Sequence, residues 1–210
     1  MIIYRDAIAE DMQEVAKVHI ATQPEYFTST LGEDLLAKFY SEFLFTDKLF
    51  VVAFDDLAEK IVGFCMGNYY TSQAEKEWER KYRNQIIRRL LFKCLQFDRL
   101  AISRVITRIR GRITKKTVKR DKYFCHLLSL GVMTEYRGKK IGSSLIDEFE
   151  ARCIKNAPEE LGAVKRKTCT IGAYKWNTAG CELYKYKGYM VFEETKDKLK
   201  FVKELSVNED

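Results

Sequence analysis

No Cys-x-x-Cys pair occurs among the six cysteines, Cys65, Cys94, Cys125, Cys153, Cys169 and Cys181. A zinc site is therefore not expected, nor is any other metal. No apolar run approaches the roughly 20 residues that a membrane-spanning helix needs. No secretory leader is expected either, because Met1-Ile2-Ile3-Tyr4-Arg5-Asp6 reads as a first strand. Thiols set in apolar runs, with no leader before them, point to a reduced, cytoplasmic protein in which free cysteine acts as a small hydrophobe. Internal repeats and low-complexity tracts are absent. Histidine is scarce: His19 and His126 are the only two.

What is present reads as globular. Hydrophobic residues make up 46% and charged residues 32% of the chain. A length of 210 residues suits one domain, 1–210, with room for an insertion. The net charge of +7 is unevenly spread. Residues 79–122 carry 16 Lys and Arg against 3 Asp and Glu, so the remainder is net acidic, 21 against 27. The basic character belongs to one segment.

The chain is organised around Tyr123 to Cys153. The run Tyr123-Phe124-Cys125-His126-Leu127-Leu128-Ser129-Leu130-Gly131-Val132-Met133 reads as a strand buried on both faces. Leu145, Ile146, Phe149 and Cys153 recur at helical spacing after it. Between them lies Thr134-Glu135-Tyr136-Arg137-Gly138-Lys139-Lys140-Ile141-Gly142. A helix start offers unpaired backbone N–H groups and the positive end of the helix dipole. Gly138 and Gly142 permit close backbone approach, and Arg137, Lys139 and Lys140 add charge. That combination is a pyrophosphate cradle. The plainer alternative is an ordinary strand-to-helix turn with solvated lysines.

Before this unit, Met12, Val15, Val18 and His19 share one helix face through about Thr22, and Pro24 stops the helix. His19 reads as a satisfied polar residue at a helix edge, with no constellation around it. Glu25 to Thr30 is expected as a loop exposing two aromatics. Leu35, Leu36, Phe39, Tyr40 and Phe43 mark a second helix. Residues 49–54 and 61–67 read as an antiparallel hairpin. Two basic amphipathic helices are expected within about 75–120: Trp78, Tyr82 and Ile86, then Ile87, Leu91 and Leu95, keep helical spacing, and after Phe97-Asp98 so do Ile102, Val105, Ile106 and Ile109. After the central unit come a strand at 167–174, a helix at 176–187 with Ala179, Leu183 and Tyr186 at core spacing, two closing strands and a polar tail.

Two stretches carry a resemblance. The segment from Leu127 to Leu145 resembles the acyl-CoA motif of the GNAT superfamily of N-acetyltransferases, Arg/Gln-x-x-Gly-x-Gly/Ala after a strand. Arg137 and Gly142 match, whereas Lys140 stands at the inner glycine. Asn177 to Tyr189 resembles the family's Asn-x-x-Ala-x-x-x-Tyr-x-x-x-Gly-Phe segment. The resemblance implies an α/β fold: a mixed, mostly antiparallel twisted sheet of about six to seven strands flanked by helices. It also implies a cofactor strand splayed from its successor, with acetyl-CoA as co-substrate. Backbone groups of Leu130 and Val132 would pair with the pantetheine arm. Arg137, Gly138, Lys139, Lys140, Ile141, Gly142 and Ser143 would hold the pyrophosphate. Asn177 would contact the pantetheine side, and Tyr184 would protonate the departing sulfur. The competing reading of Tyr184 is a core aromatic.

The base that takes the amine's proton is less clear. Two-residue alternation puts His126, Leu128 and Leu130 on one face, and His126 can accept a proton near neutral pH. A strand histidine bonded to backbone is the equal alternative. The expected acceptor is a small-molecule primary amine, such as an amino sugar or a nucleotide-linked one. A protein N-terminus, a lysine, or acyl-CoA binding without turnover are the alternatives. The basic insertion could cap the acceptor site, meet a membrane surface, or pack on the core or on a second copy in a homodimer. Nucleic acid is disfavoured, since no recognition motif occurs.

Overall fold

The computed structural model describes residues 1–96, 99, 102, 103, 123–162 and 166–205. Its strands are β1 (Ile2–Asp6), β2 (Phe50–Asp55), β3 (Lys60–Tyr69), β4 (Cys125–Val132), β5 (Thr168–Tyr174), β6 (Met190–Glu194) and β7 (Lys198–Glu204). They form one sheet in the order β1-β2-β3-β4-β5-β7-β6, antiparallel throughout except for the parallel pair β4–β5. The helices are α1 (Met12–Thr22), α2 (Glu33–Asp47), α3 (Ala74–Leu95), α4 (Ile141–Lys155), α5 (Glu159–Gly162) and α6 (Thr178–Tyr186). The second expected basic helix and the tail at 206–210 lie almost wholly outside the described residues.

Two hydrophobic layers hold the sheet. On one side Leu145, Ile146, Phe149 and Cys153 of α4 are wholly buried against Val51, Cys65, Cys125 and Leu127. On the other, Val15 and Ala16 of α1 and Leu36 and Tyr40 of α2 pack on Phe50, Val52, Phe64 and Met66. Full burial of a large apolar side chain contributes about 1.5–3 kcal/mol, so each layer anchors its helices firmly. The three-and-four spacings in α1, α2 and α4 therefore produce the expected helices.

Two irregularities in β4 position the site. Met66 pairs with Ser129 and Gly67 with Leu127, so Leu128 is an extra, bulged residue. The bulge resets the side-chain alternation. Leu127 and Leu130 consequently face the same core, and the expected grouping of His126, Leu128 and Leu130 on one face does not form. Moreover, β4 pairs with β5 only from Cys125–Cys169 to Leu127–Ile171. Beyond that point the two strands part. The strand is thus not buried on both faces: Leu128 is exposed and Ser129 and Leu130 are half-buried.

Elsewhere the sequence periodicity was ambiguous. In α3 Trp78 and Ile86 are buried with Tyr82 and Leu90 against Leu31 and Leu35, whereas Ile87, Leu91 and Leu95 are exposed. In α6 the inward residues are Cys181 and Tyr184, while Ala179 and Tyr186 face out. Tyr26 and Phe27, expected as exposed, are half-buried around a 3₁₀ turn at Phe27–Leu31.

Candidate active site

The turn between β4 and α4 builds an anion cradle. The first intrahelical bond of α4 runs from Ser144 N to Lys140 O at 3.0 Å. The N–H groups of Ile141, Gly142 and Ser143 come before it and have no partner within the helix. No side chain caps this end, and its first turn holds no acidic residue. Gly138 adopts φ +78° and a Cβ there would meet only open space. Lys140 occupies the left-handed region at φ 63°, ψ 7°, a conformation that costs a non-glycine residue about 1–2 kcal/mol. The lysine at the inner-glycine position thus keeps a backbone conformation of the kind glycine favours. These features fit a diphosphate.

The parting of β4 and β5 opens a cavity of about 500 Å³. Its walls are Leu127–Val132 of β4, Ile171, Gly172 and Ala173 of β5, the turn, and Asn177, Leu183 and Tyr184 around α6. Among the expected cofactor residues, Leu130, Val132, Arg137, Gly138, Lys140, Ile141, Gly142, Ser143 and Asn177 line it. Lys139 does not; its Nζ lies 4.7 Å from the Tyr136 ring centroid. The two strand carbonyls already receive side-chain donors. Gln23 Nε2 donates to Leu130 O at 3.1 Å, and Arg137 Nε to Val132 O at 3.3 Å.

Tyr184 sits on the cavity wall, buried edge-on against Tyr189 and Phe201 at 6.4 and 5.7 Å between ring centroids. It is both a core aromatic and a cavity residue. Among the described residues its hydroxyl has no hydrogen-bond partner, and burial raises its pKa well above the usual phenol value. The group therefore carries its proton at neutral pH. Asn177 caps α6, its Oδ1 accepting from Gly180 N at 3.1 Å. Tyr26, Tyr174 and Trp176 cluster at the same end, with ring centroids 5.4–5.5 Å apart.

His126 is not brought to this cavity. Its Nδ1 lies 2.8 Å from Thr170 Oγ1 on the neighbouring strand, and burial pushes its pKa down to about 4. The bulge at Leu128 separates its side-chain direction from that of Leu130. The basic cap is not formed by α3 either, since no residue of that helix lines the cavity. α3 instead rests on α2, with Lys81 Nζ 2.8 Å from Glu42 Oε1.

A cluster that the sequence reading missed lies behind β4. The hydroxyl of Tyr40 is 2.5 Å from His19 Nδ1 and 3.3 Å from Ser129 Oγ. His19 Nε2 is 2.9 Å from Thr28 Oγ1, and Gln23 Nε2 donates to Ser129 Oγ at 3.2 Å. His19 and Tyr40 are buried, whereas Gln23 and Ser129 line the cavity. Burial pushes the His19 imidazole down to about 4. The signal available in the sequence was His19 and Tyr40, each on the apolar face of its own helix.

A family model described as the acetyltransferase (GNAT) family matches residues 13–189, and the chain belongs to that family. No curated protein sequence matches it. Solved structures share the fold at low identity. A GNAT-family acetyltransferase from Staphylococcus aureus Mu50 is 13% identical with a TM-score of 0.58, over 98% of this chain and 100% of that one. Chaetomium thermophilum Naa20 in complex with a bisubstrate analogue is 17% identical with a TM-score of 0.56, over 97% and 86%. A NatC complex bound to Gag peptide and CoA is 12% identical with a TM-score of 0.58, over 98% and 99%.

Proposed function

We propose that this protein transfers an acetyl group from acetyl-CoA to the primary amine of a small molecule. The observation that carries this reading is the cavity where β4 and β5 part, ending at the uncapped start of α4. Acetyl-CoA, when bound, supplies an activated acetyl thioester. The N–H groups at the start of α4, with Arg137 and Lys140, hold its diphosphate. Backbone groups of Leu130 and Val132 receive an extended arm along the cavity side of β4, each carbonyl using its second lone pair beside the Gln23 or Arg137 donor it already holds. Tyr184 holds a proton at its Oη and gives it to the departing sulfur.

Gln23, Glu25, Tyr26 and Trp176 line the cavity as well and form its acceptor end. None of the charge on α3 reaches that end, so the helix lends no support to an anionic acceptor such as a nucleotide-linked sugar. A protein N-terminus is the second reading. It is favoured by the free edge of β5 beyond Ile171, which an extended peptide can join by backbone pairing. Six free cysteines suit a reducing, cytoplasmic setting. Among the described residues no helix is long and apolar enough to cross a membrane.

Calorimetric titration with acetyl-CoA tests the reading. Wild type is expected to bind, Arg137→Ala to bind at least about tenfold more weakly, and Tyr184→Phe to bind normally while losing about 100-fold in kcat. A panel of amino sugars, alkylamines and short peptides, read by thiol release, then separates the two acceptor classes. Absence of binding by the wild type would overturn the proposal.

A further inference from the structure

Transfer to an amine also requires that the ammonium give up a proton, and His126 is turned away from the cavity. The cluster behind β4 supplies another route. Leu130 O can only accept, so the Gln23 nitrogen must face it at 3.1 Å, and the same nitrogen donates to Ser129 Oγ at 3.2 Å. The contact between Ser129 Oγ and the Tyr40 hydroxyl, 3.3 Å, joins two hydroxyls and can carry a hydrogen from either side, from Tyr40 to Ser129 or the reverse. Once the Tyr40 hydrogen lies on a nearer partner, the Ser129 hydrogen points at Tyr40. Tyr40 makes its shorter contact, 2.5 Å, with His19 Nδ1. An imidazole accepting at Nδ1 carries its hydrogen on Nε2, which lies 2.9 Å from Thr28 Oγ1. Each group then accepts one proton and donates one, all in the same direction. Ser129 lines the cavity, Tyr40 and His19 are buried, and Thr28 is half-buried in the α1–α2 loop.

We propose that Ser129, Tyr40, His19 and Thr28 form a proton relay that carries the acceptor's proton from the cavity to solvent at the α1–α2 loop. The inference rests on amine acetylation as the reaction. The ammonium N–H bond breaks as its proton passes to Ser129 Oγ. Ser129 passes its own proton to Tyr40, and Tyr40 passes its own to His19 Nδ1. His19 releases the Nε2 proton through Thr28, and the amine keeps the electron pair it needs for attack. Rotation of the hydroxyls, together with return of the imidazole hydrogen from Nδ1 to Nε2, restores the starting direction. Ser129 touches the acceptor; Tyr40 and His19 act through it. Because burial keeps His19 neutral at pH 7, it conducts the proton and does not store it.

The packing holds this geometry. A Cβ on Gly131 would lie 2.7 Å from Thr22 Oγ1 and 3.4 Å from Gln23 Nε2, so β4 and the end of α1 are in close contact.

The test uses full-length wild type, Tyr40→Phe and Ser129→Ala. ¹⁵N NMR of histidine-labelled protein at pH 7 is expected to show His19 neutral with its hydrogen on Nε2. Tyr40→Phe is expected to shift the Nδ1 resonance by removing its donor. Calorimetry is expected to give acetyl-CoA affinities within about twofold of wild type for both variants. With the best acceptor of the panel, kcat is expected to fall at least tenfold in each while KM stays unchanged. A hydrogen on Nδ1 in the wild type would overturn the relay, with or without an acceptor in hand. So would a Tyr40→Phe enzyme of full kcat. Wild type that binds no acetyl-CoA fails the acetylation reading itself, which is a separate outcome.

Discussion

Gly67 on β3 and His126 on β4 approach so closely that a Cβ on the glycine would lie 2.3 Å from the His126 carbonyl oxygen. The Phe149 ring would be 2.5 Å away on the same side. Neither neighbour can yield cheaply, since one is backbone and the other is fully buried. Gly67→Ala is expected to cost about 2–3 kcal/mol. Thermal unfolding followed by circular dichroism should show a Tm lower by about 5–10 °C. An unchanged Tm would contradict the close approach.

Lys140 offers a gain. Its left-handed backbone at φ 63° suits glycine. Lys140→Gly is expected to raise stability by about 0.5–1 kcal/mol after the added freedom of the unfolded chain is counted. Lys140→Ala removes the same charge but keeps the strain, so it should show no gain. Urea unfolding of the two variants decides the matter, and equal midpoints would remove the strain argument.

Asn177 has a structural duty as the cap of α6 and an expected duty toward pantetheine. Asn177→Asp keeps an oxygen for Gly180 N but loses the amide donor. Its Tm should match wild type while acetyl-CoA affinity falls at least about fivefold. Asn177→Ala should lose both, with about 1 kcal/mol from the missing cap. Wild-type affinity in the aspartate variant would confine Asn177 to capping.

Stability should depend on acid through the histidines. His19 and His126 both have folded pKa values near 4, below the unfolded value of about 6.5. As pH falls below about 6.5 the unfolded chain binds protons first, so stability is full above that pH and is lost toward pH 4. His19, the more deeply buried, could account for up to about 3 kcal/mol. Half-buried His126 should add less. Urea midpoints at pH 7, 6 and 5 should fall in the wild type and fall less steeply in His19→Gln. Parallel slopes would contradict the burial of a neutral imidazole.

Much of this was legible in residues 123–205. The run before Met133, the basic turn and the spacing of Leu145, Phe149 and Cys153 specify strand, cradle and helix by local chemistry alone. The bulge at Leu128 was not legible, because one extra residue in β4 leaves no mark in an apolar run. That single residue moved His126 away from the site. The Tyr40–His19 contact joins residues 21 positions apart on different helices, and Ser129 is 110 positions from His19. No periodicity within one element reports such a meeting. The stripes in α3 and α6 were right only in part, for another reason: Trp78, Tyr82, Ile86 and Leu183 pack inward, whereas Ile87, Leu91, Leu95, Ala179 and Tyr186 are exposed. Each helix has two plausible apolar faces, and only the neighbour that packs there chooses between them.

The free edge of β4 from Leu128 to Val132 lies in the middle of the sheet, not at its margin. Among the described residues that edge has no strand partner beyond Leu127. Such an edge is a template for an extended chain, and here it lines the slot where β4 and β5 part. A stray terminus, an affinity tag or a loop of a neighbouring molecule can therefore lodge where the thioester arm belongs. Concentrated preparations are expected to keep best when the slot is filled, with CoA in the storage buffer serving as a plug as well as a ligand.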